Sequence, residues 1–262
     1  MIALFDMDGT LTPPRKEITK DVIDALKELS NHTRIGIVSG SDYDYIIQQC
    51  AKMFCTGLVD PNQVDLLPCN GTKMYEWDSY TAQWISTHSA DMIDSLGQED
   101  YNYILQSCLS DQLQIAMCHS LPYTGTFFHY RGSMLNWCPI GRLAKDAERK
   151  AWVALDSEKK IREKIAKSFT ASLDKKNIPA VIALGGSTSF DIYPAGWDKT
   201  YSLIHYPDRE AFFVGDRCEK TGNDWHIFTQ LRDSGNSWQT SGPSETIKLI
   251  FKIIEKIKSK QS

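Results

Sequence analysis

The chain has 262 residues, about 1.7 times the length of an ordinary domain, so one large domain or two modest ones is expected. With 42% hydrophobic and 24% charged residues it can bury a sizeable core, which excludes disorder, collagen and coiled coil. A net charge of −4 argues against wholesale nucleic-acid binding, and no apolar run approaches the roughly 18 residues of a membrane span. Met1–Phe5 is too short for a secretory signal, and the seven cysteines show neither a CxxC pair nor zinc spacing. Reduced thiols in a cytoplasmic protein are therefore expected. The six histidines are scattered and read as surface or satisfied core residues.

In chain order, Ile2–Phe5 is a short apolar run that fits a buried parallel strand and stops abruptly at Asp6. Val22, Leu26 and Leu29 fall on one helical face. Arg34–Val38 predicts a second strand ending in Ser39-Gly40-Ser41-Asp42, followed by a helix from Tyr43 to about Met53. A third strand at Val64–Leu67 ends in the turn Pro68-Cys69-Asn70-Gly71. This alternation predicts an α/β unit with a parallel sheet. The middle differs: Thr126–Tyr130, Met134–Trp137, Ala180–Leu184 and Ser189–Tyr193 read as strands, with one or two helices over Lys145–Ala171, which predicts an antiparallel α+β unit. Ala211–Gly215 returns to the first style. A last helix carries Ile247, Ile250, Phe251, Ile254 and Ile257 on its apolar face. The expected organisation is a core split in sequence, residues 1–79 and 194–262, with a second domain inserted at 80–193. The lysines near the end (248, 252, 256, 258 and 260) read as a solvated helix face.

The strongest local signal is Phe5-Asp6-Met7-Asp8-Gly9-Thr10. Ligands of open α/β sheets bind outside the carboxyl ends of the strands, and both aspartates sit there. Residues i and i+2 of an extended chain point the same way, and Gly9 lets the backbone turn closely around an anion. One carboxylate can attack phosphorus while the other moves the proton. A carboxylate approaching a phosphate needs charge compensation, and the usual remedy is Mg²⁺ held by a few protein oxygens. Asp216, at another strand end, can ligate it, with Asn223-Asp224 supporting the shell.

Taken with Gly215-Asp216…Gly222-Asn223-Asp224, the first motif resembles the haloacid dehalogenase superfamily of phosphotransferases. The resemblance implies a Rossmann-like core with a parallel sheet plus an inserted α+β cap domain with an antiparallel sheet. It implies Asp6 as the aspartyl-phosphate nucleophile, Asp8 as the general acid/base, and Ser39 or Ser41 as hydrogen-bond partners of the phosphoryl group. Lys199, in Gly196-Trp197-Asp198-Lys199, would neutralise charge, and Asp6, Asp8, Asp216 and Asp224 would hold the metal.

The inserted segment narrows the reading. Arginines recur in Phe128-His129-Tyr130-Arg131-Gly132-Ser133-Met134-Leu135-Asn136 and in Pro139-Ile140-Gly141-Arg142…Glu148-Arg149, and arginine forks suit phosphate. A phosphatase needs no second anion site on its cap, whereas a mutase must grip the phosphate that is not reacting. These stretches, with Thr10–Arg15, Ser189-Phe190-Asp191 and Thr240…Pro243-Ser244-Glu245-Thr246, resemble the eukaryotic-type phosphomannomutases over almost the whole chain. The resemblance implies interconversion of mannose 6-phosphate and mannose 1-phosphate, feeding GDP-mannose synthesis, with Mg²⁺ and a hexose 1,6-bisphosphate activator. It also implies Arg15, Arg131, Arg142, Arg149, Ser189 and Asp191 as substrate-binding residues, and a homodimer formed through the cap. Departures from the family pattern fall at Cys69, at Arg217–Thr221 and at Thr124-Gly125-Thr126. The alternatives are a sugar-phosphate phosphatase of the same superfamily and a catalytically idle hexose-phosphate binding protein.

Overall fold

The computed structural model describes residues 1–55 and 57–261. The chain begins β1 (Ile2–Asp6), α1 (Lys20–Ser30), β2 (Arg34–Val38), α2 (Tyr43–Cys55) and β3 (Val64–Leu67), then a hairpin, β4 (Lys73–Asp78) and β5 (Gln83–Ser89). It continues α3 (Met92–Leu96), α4 (Gln98–Cys118), β6 (Phe128–Tyr130), β7 (Leu135–Trp137), α5 (Asp146–Lys159), α6 (Ile161–Lys176), β8 (Ala180–Gly185) and β9 (Ser189–Pro194). The last elements are a 3-10 helix (Lys199–His205), β10 (Ala211–Gly215), α7 (Trp225–Arg232), β11 (Ser237–Gln239) and α8 (Pro243–Gln261). They divide into two compact units, Met1–Ser89 with Trp197–Ser262, and Ala90–Gly196.

The first unit is a seven-stranded sheet in the order β11-β10-β1-β2-β3-β4-β5. The five strands from β11 to β3 are parallel, and β4 and β5 are added antiparallel. Both faces of the parallel part are covered, which is why its strands read as continuous apolar runs. Successive side chains alternate between the faces. Ala3 and Phe5 of β1 and Phe212 and Val214 of β10 join the cluster built with α1, α2 and α8. Ile2, Leu4, Ala211 and Phe213 pack on the other face with Ile227 of α7 and Tyr206. A charged intrusion into the sheet is satisfied. Asp65 of β3 is fully buried and accepts from Arg34 Nε and from the Tyr206 hydroxyl, 2.7 Å each.

The second unit is a four-stranded antiparallel sheet, β6-β7-β9-β8, with α3, α4, α5 and α6. Trp137 and Phe190, opposite each other on β7 and β9, stack with ring centroids 4.6 Å apart. Arg162, at the start of α6, pairs with Asp156 near the end of α5 at 2.7 Å and donates to the carbonyls of Gly186 and Ser189. It thereby clasps both ends of the turn that joins β8 to β9.

Four expectations need revision. The boundaries of the inserted unit fall at Ala90 and Gly196 rather than at 80 and 193, because β5 pairs along its whole length with β4 and so continues the large sheet. Helices α3 and α4 and the β4–β5 hairpin were not anticipated. On α4, Tyr101, Ile104, Cys108 and Ile115 are buried while Leu109, Leu113 and Met117 are exposed, so apolar residues lie on two faces and blur the periodicity. On α8 the buried set is Ile250, Ile253, Ile254 and Ile257, with Phe251 about half exposed. The lysines of this helix are not all solvated: Lys256 donates to the carbonyls of Ser234 and Gly235 just past the end of α7, and Lys260 pairs with Glu210. No disulfide joins the cysteines, and among the described residues no helix is long and apolar enough to cross a membrane.

Candidate active site

Parallel strands bring their carboxyl ends to one edge, and the expected core residues gather there. Asp6 closes β1 and is 5% exposed. The chain then turns at once: the amides of Thr10, Leu11 and Thr12 all donate to the Met7 carbonyl, and Gly9 donates to Thr12 at 2.7 Å. Asp216 follows β10, and the loop after it returns on itself, with Asp224 Oδ2 accepting from the Arg217 amide at 3.0 Å. This return sets Asp224, fully buried, beside the strand ends. Asp6, Asp216 and Asp224 each present an oxygen within 4.8 Å of the others.

Lys199 enters from the 3-10 helix, whose start is capped by Asp198 accepting from the Thr200 amide at 2.8 Å. Its ammonium, with no solvent exposure, pairs with Asp6 and donates to Asp224 Oδ1 at 2.5 Å. Two bonds hold this helix on the sheet: His205 Nε2 with the Gly71 carbonyl at 2.7 Å, and Tyr206 with Asp65. Burial, followed by the charges of Asp224 and Asp216, pushes the Asp6 carboxyl up to about 8 against the pull of Lys199. Asp216 is pushed up to about 6, first by burial and then by Asp224. The Lys199 ammonium is held firmly charged: the two carboxylates overcome its burial.

Asp8 lies beside this group and not within it. Its Oδ1 accepts from the Arg15 amide at 3.0 Å and from the Tyr45 hydroxyl at 3.1 Å, so two donors fix its carboxylate beside the three-carboxylate cluster. The metal set expected from the sequence thus keeps Asp6, Asp216 and Asp224 as neighbours and leaves Asp8 outside. Tyr45 was missed. It stands three residues beyond the serine-rich turn, and nothing local marks it; only the folding of α2 over the β1 turn brings its hydroxyl to Asp8.

Ser39 is buried and Ser41 half-buried in the turn after β2. Ser39 Oγ accepts from the Ser41 amide at 3.1 Å. The turn is tied to the one after β3, the Asn70 amide donating to the Ser39 carbonyl and the Cys69 amide to that of Ser41, 2.8 Å each. Cys69 and Asn70 both take positive φ to do this, 52° and 65°. Arg15, also at positive φ, is exposed at the rim of this unit.

In the second unit Arg142 and Asp191 are linked through Asn136, and Arg149 is held separately. Arg142 Nη1 donates to Asn136 Oδ1 at 2.8 Å, Asn136 Nδ2 donates to Asp191 Oδ1 at 2.7 Å, and Arg149 Nη2 donates to Thr188 Oγ1 at 2.7 Å. Arg131 is buried, its amide paired with the Met134 carbonyl at 2.8 Å, and Ser189 opens β9 with its carbonyl on Arg162.

The donor set of the first unit fits a hard divalent cation. Three carboxylates face one ammonium, a deficit of two positive charges when all are ionised, and all donors are oxygens. The Asp216 carboxylate needs glycine opposite it: a Cβ on Gly9 would fall 2.8 Å from Asp216 Cγ. Thr10 Oγ1 and Asn223 Oδ1, in the two acidic loops, are buried without a hydrogen-bond partner.

Gly9→Ala tests that fit. Gly9 has φ +86°, so alanine there costs about 1–2 kcal/mol in left-handed backbone strain alone. Gly97 has the same φ and nothing within 4 Å, so Gly97→Ala carries the strain without the contact. The expected result is that both variants melt earlier, and that only Gly9→Ala loses Mg²⁺-induced stabilisation, with affinity reduced about tenfold or more.

A family model described as eukaryotic phosphomannomutase matches residues 22–256. The phosphomannomutase of Saccharomyces cerevisiae is 35% identical, with 96% of this chain and 93% of that protein covered. That of Schizosaccharomyces pombe is 34% identical with the same coverage, 96% and 93%. Among solved structures, IMP-bound Plasmodium falciparum IMP-nucleotidase superposes with a TM-score of 0.66 at 14% identity, over 97% of this chain and 68% of that one. At that identity the match speaks to the fold alone.

Proposed function

Because the chain belongs to the eukaryotic phosphomannomutase family, we propose that it interconverts mannose 6-phosphate and mannose 1-phosphate through phosphorylated Asp6 and a hexose 1,6-bisphosphate. The observation that carries this reading is the buried Asp6–Lys199–Asp224 array at the strand ends, with Asp216 alongside. In the forward half-reaction the phosphorus–oxygen bond to Asp6 breaks and one to the sugar hydroxyl forms. The hydroxyl proton passes to Asp8, whose carboxylate Tyr45 and the Arg15 amide hold in place. The bisphosphate then returns its other phosphoryl group to Asp6, and Asp8 gives the proton back to the leaving oxygen. Mg²⁺ held by Asp6, Asp216 and Asp224 would supply the charge that lets a carboxylate meet an anionic phosphoryl group. Ser39 and Ser41 hydrogen-bond that group, and Lys199 offsets its charge. In this reading the inserted unit is the cap. Arg131, Arg142 and Arg149 grip the phosphate that is not being transferred, Ser189 and Asp191 contact the sugar phosphate, and Arg15 assists from the core.

A homodimer through the inserted unit and a cytoplasmic reaction feeding GDP-mannose synthesis belong to the same proposal. The dimer is supported by Leu109, Leu113 and Met117, an exposed apolar row spaced by four along α4. The test is ³¹P NMR with mannose 1-phosphate and Mg²⁺, with and without trace glucose 1,6-bisphosphate. Conversion to mannose 6-phosphate with little free phosphate, accelerated by the bisphosphate, is expected. Stoichiometric release of inorganic phosphate would make the protein a phosphatase instead, and no change would make it a binding protein.

Metal binding should depend on pH with a definite sign. Carboxyls whose folded pKa lies above the unfolded value hold protons more tightly when folded, so stability falls as pH rises through that interval. For Asp216 and Asp6 the window runs from about 4 to about 8. In EDTA the melting temperature is expected to fall between pH 5 and pH 8, and saturating Mg²⁺ to remove most of that fall, since it displaces the same protons. A Mg²⁺-induced shift that is as large at pH 5 as at pH 8 would contradict this.

A further inference from the structure

Between Arg142 and Asp191 stands a residue to which neither the resemblance nor the reaction assigns a role. Asn136, in β7, lies directly opposite Asp191 of β9 in the strand pairing and is 4% exposed. Its amide is used on both sides. Nδ2 donates to Asp191 Oδ1 at 2.7 Å and to the Phe190 carbonyl at 3.2 Å, and Oδ1 accepts from Arg142 Nη1 at 2.8 Å. The orientation of the amide follows from its neighbours, because a guanidinium only donates and a carboxylate only accepts. Space for the carboxylate is also arranged. A Cβ on Gly185 of β8, which pairs with Ser189, would fall 2.9 Å from Asp191 Cγ.

Few side chains can occupy this position. Aspartate would set a carboxylate against Asp191 with no donor between them. An aliphatic residue would take from Asp191 Oδ1 the donor, and from Arg142 Nη1 the acceptor, that Asn136 supplies. A small residue would open a path for the two charges to approach one another. An arginine and a carboxylate that meet directly form a two-pronged pair, which engages both heads at once. The intervening amide instead takes one donor from the guanidinium and one lone pair from the carboxylate.

We infer that Asn136 is a positioning residue for hexose-phosphate binding, its amide holding Arg142 and Asp191 side by side as separate charges, the first directed to a phosphate and the second to sugar hydroxyls. This rests on the reading of Arg142 and Asp191 as substrate-binding residues. Asn136 itself touches no reacting atom, so its removal acts on binding and not on the chemical step.

The test compares Asn136→Ala with Arg142→Ala, Asp191→Ala and the double variant Asn136→Ala/Arg142→Ala, in the full chain with Mg²⁺. Mutase KM and kcat for mannose 1-phosphate are measured beside melting temperature. Asn136→Ala is expected to raise KM about tenfold or more with a much smaller change in kcat. Once Arg142 is absent, the same substitution should add little, giving a clear coupling in the double-mutant cycle. A purely structural role would make the two effects additive. Should the alanine variant not fold, Asn136→Ser gives the same comparison, since a single hydroxyl oxygen does not supply the separated donor and acceptor atoms of the amide. If Arg142→Ala raises KM and the Asn136 variants do not, or if their effects add, the inference about Asn136 is overturned and the substrate-binding assignment survives. If neither Arg142→Ala nor Asp191→Ala alters KM, the assignment beneath it fails as well.

Discussion

Asp6→Asn is expected to lower mutase turnover by roughly a thousandfold or more while leaving the protein folded and at least as stable as the parent. The two outcomes come from one structural fact. Asp6 is nearly without solvent exposure and faces Asp224 and Asp216, so its negative charge is disfavoured there, and Lys199 offsets part of the cost. An amide of the same shape removes that charge and with it the repulsion. Lys199 keeps Asp224 as a partner, so no buried ion is left alone. What the amide cannot supply is an anionic oxygen to attack phosphorus. Turnover in the bisphosphate-activated assay, together with a melting curve, separates the two effects. Substantial mutase activity in a sample shown by mass to be fully Asn would remove Asp6 from the nucleophile's role.

Lys199→Met should have the opposite balance, with activity and stability both lost. Methionine fills a similar volume but leaves three carboxylates within 4.8 Å with no cation among them. Breaking a buried ion pair by removing one partner costs about 3–5 kcal/mol, because the remaining charge is neither solvated nor paired. That cost should appear in full in urea denaturation with EDTA and shrink when Mg²⁺ is added, since a divalent ion can take over part of the compensation. Lys199→Arg is expected to rescue little. The ammonium reaches two carboxylates as a compact point charge in a site with no exposed surface, and a planar fork does not fit the same space. Equal stability of parent and Lys199→Met in EDTA would mean that the carboxylates are not charged together.

The parts of this site visible in the sequence are those that local chemistry dictates. A buried parallel strand must be apolar on both faces, so a run such as Ile2–Phe5 that ends on Asp6 announces both the strand and the edge where ligands bind. Ala211–Gly215 followed by Asp216 repeats the pattern, and the two strands prove to be neighbours. The interlocking contacts were not visible. That Asp8 is held by a hydroxyl depends on Tyr45, thirty-seven residues away. That Asn136 sits between Arg142 and Asp191 depends on the register of β7 with β9, set by pairing partners more than fifty residues apart. The β4–β5 hairpin was missed because, as the edge of the sheet, it is half exposed and carries Tyr, Glu, Trp, Ser and Thr in place of an apolar run. Phe251 was assigned to the core because size and apolarity outweighed its place in the helical wheel, where Ile253 takes the inward position.

The strand that ends in Asp6 has neighbours of very different age during synthesis. β1 and β2 leave the ribosome almost together, but β10, on the other side of β1, emerges only after residue 211. At roughly 5–20 residues per second that is a delay on the order of 10–40 s, during which one apolar edge of β1 has no partner. The inserted unit, a continuous stretch from Ala90 to Gly196, is complete before that edge can close. A nascent chain of this protein therefore carries its active-site strand as an open β edge for most of its translation, and a message truncated before residue 211 yields a product that can never close it. Chaperone dependence and aggregation of such truncated products, more than the melting temperature of the finished enzyme, should govern how much active protein a cell obtains.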